Sequence, residues 1–148
     1  MDRPETIDGD PLTLHSSSVA VGGRGLLILG RSGSGKSSLA LRLMALGADL
    51  VSDDQTTVTR EEEGRLLLSA PSAIQGMIEA RGLGLLGADS RRPVPLYAVV
   101  DLDRMETERL PPFRTTEVLG LPVPLLHNSE WDAFPAALVQ YLKGGRKE

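Results

Sequence analysis

Short apolar runs alternate with turn residues along most of the chain, and two stretches carry helical spacing. Residues 12–21, rich in Ser and Val, predict extended chain, and Gly22 and Gly23 mark a turn leading back into GLLIL, residues 25–29. That run is continuous and apolar, the pattern of a strand covered on both faces. Beyond a glycine-rich segment, residues 36–46 predict a helix with Leu39, Leu43 and Leu46 on one face and Gly47 as its stop. A strand over 49–52 follows. A hairpin of 56–59 and 65–68 comes next, its tip solvated by the charges of EEEG, residues 61–64. PLYAVVD, residues 95–101, predicts another strand, whereas the Gly-rich 82–87 and the pair Pro111 and Pro112 predict loops. The closing helix is expected over 129–142, with Ser129 as N-cap and Trp131, Phe134, Leu138 and Leu142 facing the core, although Pro135 can shift its start.

Composition narrows the class. A chain of 148 residues, 41% of them hydrophobic, suits one α/β domain, expected over residues 1–143 with a flexible tail at 144–148. A net charge of −4 without any Lys/Arg block argues against a nucleic-acid partner. The absence of cysteine excludes disulfides and thiolate zinc sites. Residues 1–10 lack the basic and apolar regions of a signal peptide, and no apolar run approaches the ~18 residues of a membrane span, so a soluble, cytoplasmic protein without a membrane partner is expected.

GRSGSGKS, residues 30–37, matches G-x-x-x-x-G-K-[ST] at Gly30, Gly35, Lys36 and Ser37, with an apolar strand before it and a helix after it. Glycines let backbone N–H groups converge on phosphate oxygens, and the helix N-terminus adds its positive dipole end. Gly30, Arg31, Ser32, Gly33, Ser34, Gly35, Lys36, Ser37 and Ser38 are therefore expected to bind a nucleoside triphosphate. Lys36 would meet the β- and γ-phosphates, and the Ser37 hydroxyl would meet Mg²⁺. Such a loop does not by itself separate an ATPase, a GTPase, a kinase and an inert nucleotide sensor.

Asp53 and Asp54 end the strand over 49–52, where parallel-sheet ligand sites gather; neighbours on a strand face opposite ways, so one can serve substrate while the other meets metal or framework. Glu79 and Arg81 lie two apart on chain that, if extended, puts both on one face. There the carboxylate could hold metal, and the guanidinium beside Gly82 could stabilise phosphoryl charge on a bound partner.

The order LHSSSVAV, GRSGSGKSSLALRL, LVSDDQTTV and IEARGLGLLG resembles the catalytic domain of bacterial HPr kinase/phosphorylase over roughly residues 12–126. The combination of loop, SDD and E-x-R-G-L-G is rarer than the loop alone. The resemblance implies a mixed central β-sheet with flanking helices, a P-loop kinase domain of the HPr kinase/phosphoenolpyruvate carboxykinase type. It implies an ATP- and Mg²⁺-dependent kinase that phosphorylates a serine of the phosphocarrier protein HPr, assembled as a homo-oligomer, in the family a hexamer. By the same resemblance Lys36 holds phosphate, Ser37 and Glu79 help hold Mg²⁺ with Asp53 beside them, Asp54 is the general base, and His15 and Arg109 are active-site residues. Arg31 and Ser38 stand where the family often has acidic residues, and after LPVP, residues 121–124, LLHNSEWDAF replaces the basic segment that longer members use for dephosphorylation. Kinase activity is thus expected ahead of phosphorolysis. The rival expectations are a small-molecule P-loop kinase and a nucleotide-responsive module without turnover.

Overall fold

Strand alternation divides the apolar residues between two cores in the computed structural model, which describes residues 11–148; residues 1–10, and the expectation about a leader, lie outside the described residues. The elements are β1 (Leu12–His15), β2 (Ser17–Val21), β3 (Arg24–Leu29), α1 (Lys36–Ala45), β4 (Asp49–Ser52), β5 (Gln55–Arg60), β6 (Leu66–Ser69), β7 (Met77–Ala80), β8 (Gly84–Gly87), β9 (Val94–Met105), β10 (Arg114–Val118), β11 (Leu121–Asn128) and α2 (Phe134–Gly144). Val19, Leu26, Ile28, Leu50, Ala98 and Val100 face one way and pack with Leu39 and Leu43 of α1 and Leu138 and Leu142 of α2. Their sequence neighbours Ala20, Leu27, Val51 and Val99 face the other way and pack with Val58, Leu66, Leu68, Val118 and Val123. The period of two along each strand makes one central sheet serve both layers.

That sheet is mixed, as expected. β3 pairs in parallel with β9, which pairs in parallel with β11, while β2 runs antiparallel to both β3 and β4. The early part of β9 also pairs antiparallel with β6, which continues through β5 to β1. Because β3 and β4 both oppose β2, they end on the same side of the sheet. β9, aligned with β3 through Leu29 and Asp101, runs toward that side too. The glycine-rich loop after β3, the Asp53 and Asp54 turn after β4, and the start of β2 therefore meet at one edge.

Four differences from the sequence-based expectations have physical causes. The Gly-rich 82–87 is not all loop: Gly84–Gly87 forms β8, paired antiparallel with β7 around a turn at Arg81 and Gly82. The last helix begins at Phe134 rather than at Ser129, with Pro135 in its first turn, where a missing N–H costs nothing. Trp131 precedes that helix and is 65% exposed instead of facing the core. The hairpin of β10 and β11 went unforeseen because Pro122 and Pro124 interrupt the second strand; both side chains are exposed, and their residues pair with Glu117 and Thr115 on β10. Beyond α2, Arg146 donates to the Pro111 carbonyl and lies 4.0 Å over the Phe113 ring.

Candidate active site

The loop over 30–37 closes on itself through Ser34 N, which donates to Arg31 O at 3.0 Å. Gly35 caps α1 with φ 103, a left-handed conformation that a side chain would strain. Gly30 is needed for space: an added Cβ would collide with Ser34 Oγ, a buried hydroxyl without a hydrogen-bond partner. Helix α1 has no side-chain cap and no acidic residue in its first turn, so its leading N–H groups are open to an anion. Lys36 Nζ donates to Gly30 O at 2.6 Å and Arg31 O at 3.0 Å, which holds the ammonium across the mouth of the loop.

Asp53 is the hub that ties the loop to the sheet. Its side chain is buried, the residue only 6% exposed, and Oδ1 accepts from Ser37 Oγ at 2.6 Å and from Ser17 Oγ at 2.8 Å. Oδ2 accepts from Glu79 N at 3.0 Å. One carboxylate thus fixes the first turn of α1, the start of β2 and the β7 strand, and it sets the Ser37 hydroxyl beside an anionic oxygen.

Asp54 points the opposite way. Its φ of 74 is left-handed, a region that Asp and Asn tolerate better than other side chains, and it sits at the kink between β4 and β5, which run on in the same direction against β2 and β1. His15 pairs with Gln55 across β1 and β5, which brings its Nδ1 to 3.8 Å from Asp54 Oδ1, both side chains being more than two-thirds exposed. The imidazole therefore lies beside that carboxylate without locking it in place.

Glu79 is exposed on β7 between the buried Ile78 and Ala80, and its amide contact with Asp53 puts it at the site. Arg81 and Gly82 form the middle of the β7–β8 turn, closed by Leu83 N donating to Ala80 O at 2.9 Å, with Gly82 at φ 88. Two residues of the site were not foreseen. Ser17 lies in a run of three serines that reads only as β chain, yet all three are buried. Asp103, two residues beyond the expected end of its strand, accepts from Arg31 N at 3.0 and 3.2 Å and anchors the loop from β9.

The structure does not bring Arg109 to Lys36 or Asp54. It lies in segment 106–113 and lines a different cavity, of about 230 Å³, with Glu106, Arg114, His127 and Arg146. Burial pushes the Glu106 carboxyl up, but the Arg114 guanidinium at 2.9 Å and the amides of Glu108 and Thr107 outweigh burial and hold it below the usual carboxylate range. A lowered folded pKa gives stability that is present above the unfolded value and lost as pH falls through the folded one. The parent should therefore melt above Glu106→Gln at neutral pH. In paired thermal melts the gap should close as pH falls through and below the ordinary glutamate range.

The donors around Asp53 suit magnesium: hydroxyl and carboxylate oxygens, few enough to leave room for water and phosphate. Among the described residues no group of three or more His, Cys, Asp or Glu side chains is placed to hold a metal unaided. Magnesium typically uses only one or two carboxylates together with substrate phosphates.

Residues 10–91 match the family model for the HPr Serine kinase C-terminal domain. The chain is 38% identical over 128 residues to the HPr kinase/phosphorylase of Verminephrobacter eiseniae, covering 77% of this chain and 40% of that protein. It is 41% identical over 123 residues to that of Bordetella pertussis, covering 75% and 40%. It therefore spans about 40% of the length of these relatives. In fold it is similar to the HPr(Ser) kinase/phosphatase from Coxiella burnetii, with a TM-score of 0.74 and 24% identity over 89% of this chain and 94% of the other. The phosphate loop, the SDD turn and the β7–β8 hairpin thus sit in the architecture from which their order was first read, and the chain belongs to the HPr serine kinase C-terminal domain family.

Proposed function

We propose that this chain is an ATP-dependent protein kinase that transfers phosphate to a serine of HPr. The observation that carries the proposal is the convergence at one sheet edge of the phosphate loop, the buried Asp53 bonded to Ser37, and the exposed Asp54 beside His15. The relatives named HPr kinase/phosphorylase support the choice of acceptor.

In this scheme the loop amides and the α1 N-terminus bind the ATP phosphates, and Lys36 swings from the Gly30 and Arg31 carbonyls onto the β- and γ-phosphates. Ser37, Asp53 and Glu79 would hold Mg²⁺, which when bound supplies charge neutralisation on the transferred group. Asp54, free of the bonds that lock Asp53, would accept the proton of the acceptor hydroxyl and become neutral, with His15 beside it. Arg81, in the β7–β8 turn, would meet phosphoryl charge, and the exposed Leu83 and Leu85 would offer a protein acceptor an apolar face. Arg109 lines the neighbouring cavity, and no step is assigned to it.

Cytoplasmic placement and assembly as a homo-hexamer belong to the same proposal and rest on the family. Among the described residues no helix is long and apolar enough to cross a membrane. Phosphorolysis is left outside the scheme, because segment 125–134 carries none of the basic character associated with it. An acceptor screen with MgATP tests the proposal against its rivals: label on HPr supports it, label on a small metabolite points to a metabolite kinase, and binding without turnover points to a sensor.

A further inference from the structure

A cleft of about 280 Å³ opens against the phosphate loop. One wall is the loop and the outer face of α1, including Ser34, Ser38 and Arg42; the other is the connection from β11 to α2, including Asn128, Trp131 and Phe134. Resting on the nucleotide-binding role proposed above, we infer that this cleft takes the nucleoside half of the nucleotide, with the base laid against the Trp131 indole.

Position, shape and charge support this. Lys36 and Ser37 would serve the terminal phosphates, and the cleft is lined by Ser34, Gly35 and Ser38 on either side of them, so the remainder of a nucleotide on this loop can enter it. Its volume lies just under the roughly 300–1,000 Å³ of whole-ligand pockets, which suits part of a ligand. Trp131 is 65% exposed although indole is costly to leave in water, and its backbone is pinned on both sides. Its N–H donates to Ser129 Oγ at 3.1 Å, and its carbonyl accepts from Phe134 N at 2.9 Å. An exposed indole on a fixed backbone is a stacking platform that accepts any base. Glu130 and Asp132 flank it and line the same cleft, which repels phosphate and suits ribose hydroxyls. The cleft therefore fits the uncharged end of the ligand.

Trp131 is the chain's sole tryptophan, so emission excited beyond the absorption of its two tyrosines reports on this cleft. Titration of the full chain with MgATP should change the emission, while magnesium tripolyphosphate, which lacks a nucleoside, should leave it nearly unchanged. By calorimetry Trp131→Ala should weaken ATP binding by about tenfold, the lower end of what base stacking contributes, and leave tripolyphosphate binding unchanged. Equal ATP affinity in parent and variant, or an equal loss for both ligands, would overturn the inference. If neither ligand binds the parent, the phosphate-loop assignment itself fails, a result distinct from either of those.

Discussion

Asp54→Asn should lower phosphate transfer by roughly 10²–10⁴-fold, the range for a lost general base, while nucleotide affinity stays at the parent value. The substitution is close to isosteric. Asn also tolerates the left-handed φ of 74 that the turn demands, and the side chain is exposed, so folding is spared. What disappears is the capacity to take a proton. Asp53 is a poor substitute because Ser17, Ser37 and the Glu79 amide already occupy its oxygens. Transfer rates and calorimetric affinities, measured on the same preparation, check both halves. Full transfer by the variant would remove Asp54 from the chemistry.

Asp53→Ala should act differently, damaging fold and site together. It leaves two hydroxyls and one amide at a buried position without their acceptor, and hydrogen bonds to charged groups are among the stronger ones. A loss of about 2–4 kcal/mol of unfolding free energy is expected. Glu79 and Ser37 would also lose their common anchor, so the magnesium needed for half-maximal transfer should rise well above the parent's. Chemical denaturation reads the first effect and a magnesium titration the second. A variant as stable as the parent would mean that the three bonds contribute little.

The contrast between these neighbours shows what could be seen in the sequence and what could not. Strand alternation predicts that one carboxylate of SDD faces the framework and the other outward, but β4 ends at Ser52 and it is the left-handed residue Asp54 that separates the two. Which is which depends on the β1–β5 pairing that brings His15 to Asp54, and on three donors from three separate elements around Asp53. Those contacts join residues as far apart as Ser17 and Asp53, and local pattern does not encode them. The phosphate loop was legible because its demands are local: glycine where φ is positive or space is short, then Lys and Ser at the helix start. Asp103 was not, because its partner is a backbone amide of the loop and it sits past the apolar run that defined its strand. Trp131 was misplaced because its spacing to Phe134 and Leu138 fits a helix that Pro135 in fact delays.

The most direct test of the account uses labelled ATP, magnesium, the purified chain and HPr from the same genome, followed by phosphoamino-acid mapping of HPr. The account predicts label on a single serine of HPr, dependent on magnesium and abolished in Lys36→Ala. Nucleotide binding with no label on HPr would contradict it.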